Sequence, residues 1–475
     1  MINYTKRDYF DIKQELLDII PRYTDAWTDF SSTDLGMIFL EFIAGTTAML
    51  NYYIDKEVSE TRIMQATEPR NIFSNLELIG YKRPLKRCGV ATGKVFAIDN
   101  MYDDSRYDEP IIIPAFSKFT SSKFGNEKVL FTNPEPIIIS REDSEVKFKF
   151  IQGELVQLNI PNNRIKSYKL YLSSKNVSDY HFYLEIDGME WTQVDNAFLQ
   201  TGGGQAYSVH RDAFDNVYLL FTYDYRKFIS TDSVLKLEYV DTKGKFKCMS
   251  GYVDTPLFSI YAEGKEVNKW LTFTNITPFE GGFDNEDLNL SKAKAISRAR
   301  TPKFLCTLED YYNAIFSYPG VLDVRCVDMS VRGATNIKPY ELKAYVLVDG
   351  DSMGADYAAD LQRYIYSMQD ITRSVQILDP KVKEVIVKIN FTIENENVNI
   401  IELENEILEY IRPELETTNF DKDLIREQLL LTIMNAFPEL KTVDIESPSE
   451  NLSPALGEVI KVIDIVVSGD YYGNL

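Results

Sequence analysis

Two histidines, four cysteines, a glycine triplet and two acidic turns are the residues whose types and spacing could do chemistry in this chain. His181 and His210 would each have to act as the base of a serine or cysteine nucleophile, and no nucleophile-elbow pattern accompanies either. Both read as structural histidines. Cys88, Cys248, Cys306 and Cys326 are scattered without a C-x-x-C spacing. That pattern suits buried thiols in a reducing compartment better than a disulfide framework or a zinc site. Gly202-Gly203-Gly204 lacks the Lys-Ser/Thr ending of a phosphate loop and reads as a loop tip. Asp349-Gly350-Asp351 and Asp284 to Asp287 could meet a cation, but neither has the ligand spacing of an EF-hand. Turn chemistry, with Asp side chains bonding nearby backbone, explains them. Among 72 acidic residues a carboxylate pair for glycoside hydrolysis can be drawn almost anywhere, so none is singled out. The expectation is no enzyme, no catalytic residue, no cofactor and no metal.

The elements must therefore explain the chain. At 475 residues it exceeds one ordinary core and divides into two to four domains. The formal net charge of −21 sets it against phosphate backbones and anionic membrane surfaces, so neither nucleic acid nor membrane is expected as a partner. Thirty Tyr and 27 Phe favour strands and interfaces, although AT-rich coding bias would enrich the same residues. Met1 to Arg22 has no continuous apolar core and is not a signal peptide, which implies synthesis in the cytoplasm.

Residues 5–82 read as helical. A first helix, capped at Thr5, carries Tyr9, Phe10, Ile12, Leu16, Leu17 and Ile20 and stops at Pro21. In the second, Ser31, Ser32, Thr33 and Asp34 offer caps. Leu35, Ile38, Phe39, Phe42, Ile43, Met49, Leu50, Tyr53 and Ile54 then follow at helical spacing to about Val58. Such a helix is roughly 36 Å long, and its apolar surface is wider than one stripe. A membrane span competes, but Asp34 and Glu41 would sit at bilayer depth with no Lys/Arg flank. A third helix runs from Pro69 to Ile79, ended by Gly80.

From Cys88 to Thr277 the period changes to two, in short β-rich runs: Thr92 to Ile98, Ile111 to Pro114, Lys128 to Thr132, Lys147 to Leu158, Tyr168 to Leu172, Val217 to Tyr223 and Val234 to Tyr239. Beyond 290 helices at 290–299, 307–317, 354–370, 400–413 and 423–436 mix with strands at 321–330, 341–349, 374–379, 382–393, 440–446 and 459–467. The fold class is thus multidomain α+β. Its expected domains are an N-terminal helical bundle segment (1–84) and a central antiparallel β region (85–289) with an inserted β module near 165–240. A C-terminal pair of small α+β domains (290–380 and 381–475) completes the chain.

The stretch from Trp27 to Tyr81 resembles the N-terminal signature of the baseplate J family, wedge proteins of contractile phage tails and related injection machines. The resemblance rests on Trp27 and Asp29; Asp34-Leu35-Gly36; Phe39-Leu40-Glu41; Tyr52 to Asp55; Glu60 and Ile63; and Ala66 to Tyr81. Further matches are Glu280-Gly281-Gly282, Asp284 and Glu286, Ala293 to Pro302 with Arg298 and Arg300, Thr307 to Tyr311, and Pro319-Gly320-Val321. The end of the chain, Leu424 to Val443 and Pro448 to Val467, is similar as well, while residues 90–275 are uncovered.

The resemblance implies a structural baseplate-wedge subunit on a virion tail baseplate, assembled in the host cytoplasm. It would form a ring around the central hub and transmit the change that triggers sheath contraction. Implied partners are other copies of the chain, a second wedge protein through the N-terminal helices, and other baseplate, hub or sheath-initiating proteins. The nine apolar residues from Leu35 to Ile54 are the expected bundle interface. The alternative is a carbohydrate-binding or adsorption protein of the tail built on the aromatic-rich β region, with or without glycosidase activity.

Overall fold

The computed structural model describes residues 7–471 except 25, 32, 98–109, 125–128, 141–142, 144, 198–203, 231, 263–264, 335–336, 351 and 395–397. Thr5, Ser32, Ile98, Lys128, Gly202, Gly203 and Asp351 therefore lie outside the described residues. The architecture is multidomain α+β, with eight helices, an N-terminal helical segment and a large central β region among those described.

Helix α1 (Tyr9–Ile19) begins at Asp8 rather than at the expected Thr5. The Asp8 carboxylate accepts the N–H groups of Phe10 and Asp11, and the Asp11 side chain accepts from the Asp8 N–H, so three backbone donors are met at once. Helix α2 (Leu35–Glu60) starts where Asp34 Oδ2 accepts the Met37 N–H at 3.1 Å. The same oxygen accepts the indole N–H of Trp27 at 3.0 Å, and Trp27 lies against Gly36 so closely that a Cβ there would be 2.5 Å from its ring. The spacing from Trp27 to Gly36 thus encodes one local lock at the helix entry.

Helix α3 (Pro69–Ile79) has no cap from its own flank. The buried Glu60 supplies it. Its carboxylate accepts the Thr67 N–H and hydroxyl, the Glu68 N–H and the Asn71 side-chain N–H, at 2.7–3.2 Å. Burial works to raise the Glu60 pKa, but these bonds from Thr67, Glu68 and Asn71 outweigh it and hold the carboxyl below its ordinary value of 4.5. A depressed carboxylate pKa adds stability that is present above pH 4.5 and lost as pH falls through the folded value. Glu60→Gln is expected to cost about 1–2 kcal/mol at pH 7 and to flatten the acid limb of stability, read by urea denaturation from pH 7 to 3. An unchanged acid limb would count against this cap.

The central region folds into two sheets. The first is built from β1 (Val90–Ala97), β3 (Lys118–Thr120), β4 (Phe131–Thr132), β6 (Glu145–Gln152), β14 (Thr255–Pro256) and β17 (Leu271–Asn275), in the antiparallel order β14-β3-β4-β6-β1-β17. The pairs β2 (Ile111–Ile113)/β5 (Ile137–Ile139) and β15 (Tyr261–Ala262)/β16 (Lys265–Glu266) flank it. Its core is aromatic, with Phe119 edge-on to Phe150 at 5.0 Å and Phe131 against Phe279 at 4.7 Å.

The second sheet comprises β7 (Glu154–Pro161), β8 (Lys169–Tyr171), β9 (Val177–Ile186), β10 (Met189–Gln193), β11 (Ala206–Arg211), β12 (Val217–Phe221) and β13 (Val234–Asp241). Its order is β7-β13-β9-β10-β11-β12-β8, antiparallel except for β10 and β11. It has its own core around Trp191, Tyr207, Leu219, Phe221 and Leu237. The expected single run Lys147 to Leu158 is instead two strands. Gly153, at φ +138°, breaks it, and a Cβ there would stand 2.5 Å from the Asp241 carbonyl oxygen. Entry to and exit from the second sheet are pinned together beside it. Gln152 Oε1 accepts the Thr242 hydroxyl at 2.6 Å and the Lys243 N–H at 3.0 Å.

Two α+β units follow. In the first, α4 (Leu288–Arg300), α5 (Leu308–Phe316) and α6 (Ala355–Tyr366) accompany β18 (Val321–Val327), β19 (Glu341–Val348) and β20 (Ser374–Leu378), ordered β18-β19-β20. Thr307 and Asp310 form a capping box on α5. In the second, α7 (Ile400–Glu416) and α8 (Arg426–Ala436) accompany β21 (Lys381–Ile393), β22 (Leu440–Ser447) and β23 (Glu458–Tyr471), ordered β22-β21-β23 with β21 and β23 parallel.

Candidate interaction surface

Helix α2 buries only a narrow strip. Met37, Leu40 and Ala44 are buried on the side facing α1, whose Ile12 is also buried, and Lys13 of α1 holds Glu41 at 2.6 Å. Near its C-terminal end Asp55, Ser59 and Glu60 are buried. All nine residues expected at the bundle interface (Leu35, Ile38, Phe39, Phe42, Ile43, Met49, Leu50, Tyr53 and Ile54) are exposed, between 50% and 68%.

At 3.6 residues per turn these nine fall within an arc of about 160° on one side of the helix. Leu35, Phe39, Phe42, Thr46, Met49 and Tyr53 step by four and three along its middle, the spacing of a coiled-coil seam. Thr46 is spent on the Phe42 and Ile43 carbonyls, to which its hydroxyl donates at 3.0 and 2.9 Å, leaving its methyl outward. Phe10, Ile19, Tyr23 and Phe30, on α1 and the α1–α2 connection, are exposed as well. The sequence lists Phe10 and Ile12 together on α1 without assigning a face; α2 covers Ile12 and leaves Phe10 exposed. By length and composition alone α2 is also long and apolar enough to cross a membrane.

The arm that carries this surface is anchored by a buried polar node. Glu286 Oε1 accepts the hydroxyls of Tyr81 and Ser291, both at 2.7 Å, and Oε2 takes the Lys294 ammonium at 2.8 Å. Lys294 also donates to the Tyr318 carbonyl at 3.1 Å, and its side chain is fully buried. Burial pushes the Lys294 pKa down, and the adjacent Glu286 carboxylate opposes that shift. Arg83 donates to the carbonyls of Glu286 and Asp212, both at 2.6 Å, and pairs with Asp215 at 3.0 Å. One cluster therefore joins the end of α3, the second sheet, α4 and the approach to β18. Lys294 itself, a charge among the buried Ser291, Ala295 and Ser297 of α4, was the missed signal.

The chemistry-bearing residues are dispersed. His210 Nε2 lies 2.8 Å from Ser208 Oγ, but Ser208 is fully buried and no carboxylate among the described residues is hydrogen-bonded to the ring. Burial, with the charges of Lys82 and Lys169, pushes its pKa down to about 4. His181 packs on Phe116, and burial lowers its pKa. Cys88 and Cys248 are buried. Cys306 is exposed and Cys326 only half-buried, so the expectation of four buried thiols fails for these two. Cys306 lies in the turn before α5, where its N–H serves Asp310 while the side chain faces outward. The two acidic turns meet each other: Asp349 accepts the Asp284 N–H at 3.2 Å and pairs with Lys245, while Asp284 pairs with Lys86. Among the described residues no group of three or more His, Cys, Asp or Glu side chains is gathered as a metal site would require.

No family model matches the sequence, and no curated protein sequence matches it. Among solved structures, the chain is similar to one in a cryo-EM structure of the anti-feeding prophage baseplate, at 14% identity and a TM-score of 0.30, covering 94% of this chain and 90% of that one. It is also similar to a chain of the type VI secretion TssK-TssF-TssG baseplate subcomplex, at 10% identity and a TM-score of 0.20, covering 72% and 96%. At TM-scores this low neither likeness carries an argument for fold or function.

Proposed function

We propose that this chain is a structural subunit of the baseplate of a contractile tail or tail-like injection particle, acting as a wedge protein. In this role its N-terminal helices complete a bundle with another copy and with a second wedge protein. The observation that carries the reading is the unburied apolar arc of α2 on an arm that is otherwise firmly anchored. Leaving such a face in water costs on the order of 10 kcal/mol, which burial against other helices would recover. The ordered motif residues support it, because Trp27, Asp34 and Gly36 build the start of the helix that presents the arc. A lipid-spanning role fits less well: Glu41 is held by Lys13, and Asp55 and Glu60 are buried against protein.

The work of such a subunit is mechanical, holding a ring in one arrangement and releasing it to another. No catalytic residue, cofactor or metal is assigned. Deletion of the gene, followed by complementation and negative-stain electron microscopy of purified particles, tests the reading. Loss of baseplates, restored with this chain present in the particles by mass spectrometry, is the expected result. Intact contractile particles without it would overturn the proposal.

A further inference from the structure

The first three parts of the molecule are bolted together. The node around Glu286 fixes the N-terminal arm. The central β region grips the first α+β unit through Arg87–Asp360, Lys149–Asp356 at 3.0 Å, Lys245–Asp349 at 3.2 Å and the Gly281 N–H to the Ser352 carbonyl at 3.3 Å. The Arg87 guanidinium also lies over the Tyr357 ring at 5.2 Å.

The second α+β unit, residues 381–471, is joined differently. Among the described residues no helix or strand of it makes an extended contact with one of the first unit; beside the crossing, the Gly457 backbone before β23 lies against the Tyr345 ring of β19, where a Cβ would stand 2.6 Å from it. A cleft of about 660 Å³, lined by Tyr312, Phe316, Val346, Pro380, Val382 and Val459 among others, lies between them. The chain crosses once, at Asp379-Pro380. On the far side of the cleft the loop 417–423 reaches back to β18. The Phe420 N–H donates to Asp323 Oδ2 at 2.9 Å, Phe420 itself is buried, and Asp421 pairs with Arg325. Asp421 is 82% exposed, so that pair is screened and weak.

We propose that residues 381–471 pivot as one body about Asp379-Pro380, and that the loop 417–423 is the strap that holds the cleft closed. The rest of the chain moves as a second rigid body.

Single-molecule energy transfer on the full chain tests this, with Cys306→Ser and Cys326→Ala removing the accessible native thiols. One label pair, Arg363→Cys with Glu409→Cys, spans the cleft. The other, Glu57→Cys with Arg363→Cys, spans the node. Asp323→Ala removes the acceptor of the Phe420 N–H, and Asp421→Lys sets a like charge opposite Arg325 at an exposed position that cannot disturb a core. Asp323→Ala is expected to raise a second, low-transfer population of the cleft pair by about fivefold, and Asp421→Lys, acting through the screened pair, by about twofold. Asp323→Asn, which keeps an acceptor, should match the parent, and the node pair should keep one population throughout. If Asp323→Ala fails to fold by circular dichroism, Asp421→Lys decides alone. An unchanged cleft pair in the folded variants, or a node pair that broadens equally, would overturn the proposal.

Discussion

Phe42→Asp, and separately Phe39→Asp, should leave the purified chain as stable as the parent while stopping particle assembly. Both side chains are more than 60% exposed in the isolated chain, so a carboxylate there stays in water and changes folding stability by less than about 0.5 kcal/mol. The same charge in a packed helical seam must be desolvated without a partner, at several kcal/mol per copy. Thermal unfolding and circular dichroism check the first half, and electron microscopy of complemented particles checks the second. Normal yields of intact tails from either variant would remove α2 as an assembly surface. A variant that unfolds would show instead that the arc is covered within the chain.

The other large effect lies inside the molecule. Glu286→Ala strands the Lys294 ammonium with only the Tyr318 carbonyl among its described partners, and Lys294→Met strands a buried carboxylate with two hydroxyls. Breaking one side of such a buried pair costs about 3–5 kcal/mol. The double change Glu286→Leu/Lys294→Met should cost clearly less than the sum, since no charge is left behind. Urea denaturation gives all three values. Additive losses would mean that the two groups do not act as a pair.

Much of the fold was legible because local signals agreed with tertiary demands. Pro69 and Gly80 bracket α3 at the expected residues, and the helix–strand alternation beyond 290 reads through to β23. The arc on α2 was legible for the opposite reason, being more apolar than its surroundings could cover. What escaped was decided at a distance. Strands β9 and β10 carry Asp179, His181, Glu185 and Glu190 among their apolar residues, which blurs a period of two. Gly153 was silent until the Asp241 carbonyl was seen beside it. Tyr81 and Glu286 are 205 residues apart, and nothing in their spacing announces that they meet.

The pinning of Gln152 to Thr242 and Lys243 has an evolutionary consequence. A chain that leaves a sheet and returns to the same point encloses a guest that can be gained, lost or exchanged without rethreading its host. The seven strands between carry a separate core, so host and guest are free to diverge at different rates. The guest nonetheless holds on to what lies outside it: Arg83 grips Asp212 and Asp215, and the Asp179 N–H donates to the Lys86 carbonyl at 3.0 Å, so the guest also braces the arm. Without the guest, Arg83 would keep its bond to the Glu286 carbonyl and lose those to Asp212 and Asp215.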